Sequence, residues 1–388
     1  MKIFDEIIER RHTNCYKWDS LIEKYGENND IIPMGVADMD FASSQAIQKA
    51  LHDKINERAF GYIADPLKDL GELIISRYRQ RGYHVSKEDI VLSTGVVHAI
   101  NNAIRAFSKE NDTIILPAPY YTPFQQLIEG NGRKMLLCPM VIRNGRYEMD
   151  LETLEKQVDE QTRLFILCNP HNPTGRIYDR SELQQLADFA QRHQLMIISD
   201  EIHADFSLHK EVFPMMEVNE YARNHTLTFL SATKTFNLAG LKMSFGFITD
   251  PKLRQIFHQQ SLHTGLESVN SLAVAAVTAA YRDSADWEKE LVDYLRNNCD
   301  YAVEFIRQKL PEVRVYPNEG TYLLWLDMRD CGIPFEQLND YLIKHARVQL
   351  NDGSHYGQAF AGYQRMNCAL PLSQLKEALS RIEKALHG

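Results

Sequence analysis

Between about residues 46 and 280, short apolar runs alternate with longer segments whose apolar residues recur at helical spacing. Most of the short runs are apolar at successive positions, which is typical of strands covered on both faces. Alternation of such strands with helices predicts a largely parallel sheet with helices packed on it. The predicted strands are 90–92, 113–116, 164–167, 196–198, 226–230 and 244–248.

Helix signals and a change of pattern divide the chain further. Helical spacing of apolar residues predicts a helix over 96–107, and a capping box from Ser181 to Gln184 predicts the start of another. Beyond about residue 285, a long amphipathic segment over 287–309 precedes a strand over 322–326 and a helix over 374–386. We therefore predict a large domain over 46–284 and a smaller α+β domain over 285–388, which residues 1–45 join.

Composition excludes several classes of function. The 388 residues are 44% hydrophobic and 24% charged, as in a soluble globular protein. A net charge of -9 without a dense run of lysine or arginine argues against a nucleic-acid-binding protein. The six cysteines form no CxxC pair, the first residues lack the apolar core of a signal peptide, and the most apolar stretch, 272–280, is too short to span a bilayer. We expect a cytoplasmic protein without a membrane segment.

Polar or glycine-containing clusters follow several predicted strands, at the edge where ligands bind in sheets of this kind. After the strand at 90–92, Gly95 precedes Val96 and Val97, whose free N–H groups at a helix start favour an anion such as phosphate. An ordinary tight turn is the alternative there. After the next strand, the proline-rich loop 117–124 can present Tyr121 for stacking on a flat ring, with packing inside the loop as the alternative.

Two further clusters carry amides and carboxylates. The Asn-Pro steps around Asn172 fix the backbone and aim amide side chains in set directions. After the strand at 196–198, Asp200, Glu201, His203 and Asp205 could all ligate a metal. Since Asp200 and Glu201 point to opposite faces of a strand, they cannot share one ion, and we favour a single carboxylate that holds a cation. Near the amino terminus, Asp38 and Asp40 read as a metal pair or as a capped turn.

The strand over 226–230 ends in Ser231 and Lys234. Partial burial lowers the pKa of a lysine and makes its neutral amine available for a Schiff base. The alternative is an exposed lysine past a strand. Taken together, the strand ends offer an anion cradle, an aromatic plate, an amide, a carboxylate, a serine and a lysine. Pyridoxal 5'-phosphate, a flat phosphorylated aldehyde with a cationic ring, would use all six.

With these motifs on one chain, the sequence resembles the fold-type I pyridoxal-phosphate enzymes over its whole length. The segment Asn172-Pro173-x-Gly175, Asp200 after an apolar strand, and Ser231-x-x-Lys234 match class I and II aminotransferases. Within that group it is most similar to the MalY/PatB cystathionine β-lyase family, through the motifs around Lys17-Trp18-Asp19, residues 33–41, 95–97, 200–203 and 234–237. The resemblance implies the aspartate aminotransferase fold, with a mostly parallel seven-stranded sheet in a large domain and a smaller carboxyl-terminal α+β domain.

The resemblance also implies roles for individual residues. Lys234 would attach the cofactor and serve catalysis together with Asp200, Tyr121 and Tyr62. Tyr62 would reach the phosphate from the neighbouring subunit of a homodimer whose active sites lie at the subunit interface. Cofactor binding would fall to Lys234, Asp200, Gly95, Val96, Val97, Tyr121, Asn172, His203, Ser231, Lys242 and Tyr62. Substrate binding would fall to Arg365, which would clamp the α-carboxylate, and to Val36, Ala37 and Asn172.

Three positions depart from the family pattern. Lys242 stands where many of these enzymes have a phosphate-binding arginine, and lysine supplies the charge without the planar fork. His98 stands where relatives often have proline, and residues 370–372 replace a Cys-Pro-Arg-like segment near the distal end of the substrate.

The expected activity is α,β-elimination from L-cystathionine or a related L-cysteine S-conjugate, giving pyruvate, ammonia and a thiol. Two alternatives stay open at this point. One is a class I or II aminotransferase, which shares every cofactor residue, and the other is a regulatory protein that keeps the cofactor and acts by binding a partner.

Overall fold

A computed structural model describes residues 2–265 and 268–388. Its α-helices, labelled in chain order, are α1 Tyr16–Tyr25, α2 Gln45–Asn56, α3 Leu70–Arg79, α4 Val96–Phe107, α5 Thr122–Gly130, α6 Leu151–Glu155, α7 Arg180–Arg192, α8 Glu220–His225, α9 Ala232–Thr235, α10 Pro251–Thr264, α11 Ser271–Asp283, α12 Ala285–Lys309, α13 Phe335–Tyr341 and α14 Leu372–His387. Its strands are β1 Ile32–Pro33, β2 Ile90–Ser93, β3 Thr113–Ala118, β4 Lys134–Arg143, β5 Arg146–Met149, β6 Thr162–Cys168, β7 Met196–Asp200, β8 Thr226–Leu230, β9 Ser244–Phe247, β10 Arg314–Val315, β11 Leu323–Asp327, β12 Val348–Gln349, β13 Asn351–Asp352 and β14 Tyr363–Asn367.

The central sheet has eight strands in the order β2-β9-β8-β7-β6-β3-β4-β5. Neighbours from β8 to β4 pair in parallel, whereas β9 is antiparallel to both β2 and β8, and β5 is antiparallel to β4. The carboxyl ends of β2, β3, β6, β7 and β8 therefore meet at one edge. All six strands predicted between residues 90 and 248 are present, which confirms the mostly parallel sheet.

Two expectations about this sheet and its helices are wrong. The sheet has eight strands rather than seven because the hairpin β4–β5 adds an antiparallel edge strand. Helix α7 is capped by Asp179 and Glu182, two residues before the predicted box at Ser181. Glu182 also accepts from Arg176 at 2.6 Å, a tertiary contact that favours the earlier start.

The carboxyl-terminal part carries a second sheet, β10-β11-β14-β13, packed with α12 and α14. One hydrophobic cluster joins Phe4, Met34 and Phe41 to residues of α12, β11, β14 and α14. Strand β1 pairs in parallel with β12, so the amino-terminal segment also shares backbone hydrogen bonds with the carboxyl-terminal part. The domain boundaries near 45 and 285 stay a prediction, and this packing supports them. Across the described ranges, no helix has the length and apolar character needed to cross a membrane.

Candidate active site

A cavity of about 560 Å³ opens where the carboxyl ends of the parallel strands meet the loop 35–41. Its position is the one expected for a ligand site in a parallel α/β sheet. The predicted site residues that line it are Ala37, Gly95, Val96, Val97, Tyr121, Asn172, Asp200, His203, Lys234 and Lys242. Residues spread over more than two hundred positions of sequence thus share one cavity.

Lys234 lies on the short helix α9, directly after β8, in the wall of this cavity. Its Nζ donates to the carbonyl oxygen of Ala37 at 2.6 Å and forms no ion pair with any carboxylate of the described chain. Burial, followed by the positive charge of Arg365, lowers the pKa of Lys234 to about 8, although Asp38 and Asp200 oppose the shift. A sizeable neutral fraction of this amine is therefore available near neutral pH, as a nucleophile requires.

Asp200 ends β7 and is 5% exposed. Its carboxylate accepts from the Ile202 N–H at 3.0 Å and has no cationic side chain in ion-pair contact within residues 2–265 and 268–388. Burial raises the pKa of Asp200 to about 7, although the Ile202 hydrogen bond and the charge of Lys234 act the other way. A buried carboxylate without a cation is costly, so a cationic ligand atom would complete this position.

The neighbouring Glu201 occupies a different environment, as predicted from strand geometry. Its carboxylate accepts from the hydroxyls of Tyr83 and Ser199, away from the cavity. Asp200 and Glu201 therefore do not form a joint metal site.

Arg365 lies on β14 and is 2% exposed. Its Nη1 donates to Asn172 Oδ1 at 3.0 Å and its Nη2 to the carbonyl oxygen of Gly35 at 2.6 Å, while its Nε has no partner. No carboxylate in the described part of the chain pairs with this guanidinium. A buried arginine whose hydrogen bonds all go to neutral oxygens, with a donor left over, fits an anionic ligand group such as a carboxylate.

The first turn of α4 and Lys242 face the cavity from the side of β2 and β9. The first N–H groups of the twelve-residue helix α4 have no intrahelical acceptor, and the helix dipole favours an anion there. Lys242 is exposed and has left-handed backbone, with φ of 50°. These groups fit a phosphate.

Two ring-bearing residues complete the wall. Tyr121 caps the start of α5, and its ring packs edge-on against Phe124 at 5.4 Å between centroids. His203 is buried with its Nδ1 unpartnered, and burial, assisted by the charges of Lys234 and Arg365, lowers the pKa of this imidazole to about 3. His203 is therefore neutral at physiological pH, with a ring nitrogen free for a ligand oxygen.

Four predicted residues do not line the cavity of the single chain: Arg365, which contacts the wall residue Asn172, and three others. Ser231 is the N-cap residue of α9, and its hydroxyl donates to the Met243 carbonyl at 2.6 Å and accepts from the Thr233 N–H at 3.0 Å. Val36 contributes a carbonyl that accepts from Asn367. Tyr62 is fully exposed. Their contacts with phosphate and substrate stay predictions.

Sequence reasoning missed several wall residues. Thr94, which precedes Gly95, and Cys168, which ends β6, both line the cavity, and their positions at strand ends were the available signal. Tyr322, which lies outside the cavity wall but contacts Ala37 in it, had no such signal. Its buried hydroxyl donates to the Ala37 carbonyl oxygen at 3.2 Å, so Tyr322 and Lys234 share one acceptor. Tyr322 and Ala37 are 285 positions apart in the sequence.

Comparisons with known proteins show what this chain is similar to. Residues 29–382 match the family model for aminotransferase class I and II. The chain is 36% identical to cystathionine β-lyase PatB of Bacillus subtilis and 28% identical to protein MalY of Escherichia coli, in each case over 99% of both chains. It is also similar to cystalysin of Treponema denticola, whose crystal structure contains pyridoxal 5'-phosphate, with a TM-score of 0.95, 30% identity and coverage of 99% of this chain and 98% of that one.

Proposed function

We infer the function from the premise that this chain belongs to the class I and II aminotransferase family, in its MalY/PatB branch. It is a pyridoxal-phosphate-dependent carbon–sulfur β-lyase. We propose L-cystathionine and related L-cysteine S-conjugates as its substrates. The observation that carries the proposal is that Lys234 and Asp200 line one cavity and Arg365 donates to Asn172 in its wall, with none of the three ion-paired within the described chain.

The residues present fit this cofactor. The uncompensated carboxylate of Asp200 suits a protonated pyridine nitrogen, and the first turn of α4 with Lys242 suits the phosphate. His203 and Asn172 can face the ring oxygen, Tyr121 can cover the ring, and the amine of Lys234 can hold the aldehyde carbon covalently. When bound, the cofactor supplies an electron-withdrawing ring that stabilises negative charge at the substrate Cα.

The protein's own groups then have separate tasks. Arg365, oriented by Asn172 and the Gly35 carbonyl, binds and orients the substrate carboxylate. Lys234 Nζ would remove the Cα proton, for which its lowered pKa suits it. Asp200 holds the proton at the ring nitrogen. Breaking the Cβ–S bond releases a thiol, and addition of water leaves pyruvate and ammonia.

An elimination assay tests the proposal. The purified protein is incubated with L-cystathionine, cystine, cysteine and longer S-conjugates without any keto acid, and pyruvate and thiol are measured. We expect one sulfur product for each pyruvate: a thiol from the S-conjugates, sulfide from cysteine and cysteine persulfide from cystine. The aminotransferase alternative requires a keto acid, so glutamate formed only on addition of 2-oxoglutarate, with no pyruvate in its absence, would contradict the lyase proposal.

We also propose that the working unit is a cytoplasmic homodimer in which Tyr62 enters the partner's site. Tyr62 and the nearby Phe60 are exposed on one chain, at 104% and 59%. Mixing Tyr62→Ala and Lys234→Ala chains under exchanging conditions tests this arrangement, because each mixed dimer would hold one site with both residues intact. Recovery of activity from the two impaired proteins supports the dimer, and its absence in verified mixed dimers contradicts the placement of Tyr62.

A further inference from the structure

Two motifs from the sequence, Lys17-Trp18 and the pair Asp38 and Asp40, have no task in the proposed reaction. The structure brings them together. Lys17 is 1% exposed, and its Nζ donates to Asp40 Oδ2 at 2.7 Å and to the carbonyl oxygen of Asp38 at 3.2 Å. Trp18 Nε1 donates to Asp40 Oδ1 at 3.0 Å. The two aspartates thus form neither a metal pair nor a simple capped turn.

Arg10 closes this cluster from the amino-terminal side. Its Nη1 donates to Asp40 Oδ1 at 2.6 Å, and its Nη2 donates to Asp38 Oδ2 at 3.0 Å. Removing charges from water costs free energy that well-packed apolar side chains would not cost, so stability alone gives little reason for such a cluster. A requirement for one fixed geometry gives a better reason.

The loop 35–41, which carries both aspartates, touches the reacting groups through its backbone. The Gly35 carbonyl accepts from Arg365 Nη2 at 2.6 Å. The Ala37 carbonyl accepts from Lys234 Nζ at 2.6 Å and from the Tyr322 hydroxyl at 3.2 Å. A shift of this loop therefore displaces the amine and the guanidinium together.

Two amides hold the same loop from the side of the active site. Asn237, three residues after Lys234, donates to the carbonyl oxygens of Met39 and Phe41, each at 2.9 Å. Asn367, two residues after Arg365, donates to the carbonyl oxygens of Val36 and Asp38, each at 2.7 Å. The amino-terminal cluster holds the loop from its other side.

We propose that Lys17 and Asp40 are positioning residues: their buried ion pair fixes the loop 35–41, and this loop sets the places of Lys234 Nζ and Arg365. The inference rests on the proposed function only in treating Lys234 as the reacting amine. Neither Lys17 nor Asp40 lines the cavity, so they act through the backbone carbonyls of the loop.

The variant Lys17→Met removes the buried cation and keeps an unbranched apolar chain. Hydrogen exchange of the full-length holoenzyme, followed by mass spectrometry, measures the loop directly. The amides of Met39 and Asp40 are bonded to Asn237 Oδ1 at 3.3 Å and the Ala369 carbonyl at 3.0 Å, and are expected to be protected. We expect exchange in 35–41 to become at least about tenfold faster in the variant, with the central strands unchanged.

A second measurement reports on Lys234. Trace labelling of the full-length chain without cofactor by acetic anhydride, over a range of pH, gives the pKa of its amine. Because burial is the largest cause of the lowered pKa, ahead of the opposing charge of Asp38, loosening the loop admits water and raises it. We expect a rise of at least about half a unit in Lys17→Met.

Arg254→Met is the matched control. It breaks a partly buried ion pair, Arg254 Nη1 to Asp89 Oδ1 at 3.0 Å. Asp89 lies at the amino-terminal end of β2, whereas the cavity lies at the carboxyl end. We expect it to lower thermal stability without changing the loop exchange or the labelling of Lys234. A Lys17→Met protein that loses stability as Arg254→Met does, but keeps both readouts at wild-type values, would overturn the proposal.

The gentler variant Trp18→Phe covers the case in which Lys17→Met does not fold. It removes only the indole bond to Asp40, and it should move both readouts in the same direction by a smaller amount. Unchanged readouts in folded Trp18→Phe would then count against the proposal. Both measurements are made without an amino-acid substrate, so they remain interpretable even if no S-conjugate yields pyruvate and the proposed function fails.

Discussion

Lys17 and Lys234 differ in their surroundings: Lys17 is buried among carboxylates, whereas Lys234 lies in the wall of the cavity. Lys17 has Asp40 at 2.7 Å and sits in a cluster of matched charges with Arg10 and Asp38. Lys234 has a neutral carbonyl as its acceptor, and the charged groups around it, Asp200 and Arg365, are not paired with each other.

Charged side chains that pair with each other stabilise the fold, whereas the unpaired charged side chains at the cavity are suited to bind a ligand. Another matched cluster shows the first kind, because buried Arg176 is held by Glu182 at 2.6 Å and by Glu319 at 2.7 Å. In the cavity, the pKa of Asp200 is raised and that of Lys234 is lowered, chiefly by burial, so both shift toward their neutral forms. Bound cofactor and substrate would supply the missing counter-charges.

The largest expected effect comes from Lys234 itself. Replacing it by Ala should lower pyruvate production by about 1,000-fold or more, because both the covalent attachment and the proton transfer are lost. The coupled reduction of pyruvate measures it. The exposed Lys49, in an ion pair with Asp53 on α2, provides the control Lys49→Ala, which should keep wild-type activity. A Lys234→Ala protein with full turnover would end the assignment of this amine.

Asp200→Asn should lower activity by about 100- to 1,000-fold, since the neutral amide cannot stabilise a cationic ring nitrogen. The same change should stabilise the protein without cofactor. The pKa of Asp200 is raised from 3.8 to about 7, so the folded state binds the proton more tightly than the unfolded state and loses stability as pH rises from about 4 to 7.

The stability gain of Asp200→Asn should therefore depend on pH. It should be close to zero near pH 4 and reach its full value above pH 7, with an upper limit of about 4 kcal/mol. Urea unfolding of both proteins without cofactor, at pH 5 and pH 8, measures it. An equal difference at the two pH values would show that the carboxylate is not an uncompensated charge.

The same substitution can be made at Arg365, which has no carboxylate partner in the described chain, and at Arg176, which is paired with two glutamates. Arg365→Met should reduce kcat/KM by about 100-fold, mainly through KM, and change the free energy of unfolding by less than about 1 kcal/mol. Arg176→Met should cost about 3 kcal/mol of stability because Glu182 and Glu319 lose their partner. If Arg365→Met is the more destabilising of the two, Arg365 is not an unmatched charge.

Lys242→Ala should have the smallest effect. Loss of one exposed cation near the phosphate position should weaken cofactor binding by about tenfold and leave kcat with saturating cofactor nearly unchanged. Equilibrium dialysis against the cofactor measures the affinity, with Lys252→Ala on α10 as a control. Unchanged affinity would mean that the N–H groups of α4 hold the phosphate without Lys242.

Much of the fold can be predicted from the sequence, because each strand that is covered on both faces of the sheet is a run of apolar residues. The hairpin β4–β5 is not predicted. Strand β4 lies next to the sheet edge, contains Pro139 and exposes Leu137 and Ile142, so it lacks the pattern of a buried strand. The sequence misplaces the start of α7 because two candidate capping boxes overlap there, Asp179 to Glu182 and Ser181 to Gln184. The contact of Glu182 with Arg176 favours the first.

The sequence by itself determined which side chains stand at the strand ends, because a residue's place after a strand is a local property of the chain. Hence the sequence alone places Lys234, Asp200 and Asn172 just after predicted strands. The tertiary structure alone decided which charges find partners. Asp40 forms an ion pair with Lys17, whereas Asp200 has no ion-pair partner in the described chain. The residues next to either aspartate in the sequence do not predict this difference. Pairing depends on long-range packing, and it distinguishes the ion-pair cluster around Asp40 from the cavity that contains Asp200.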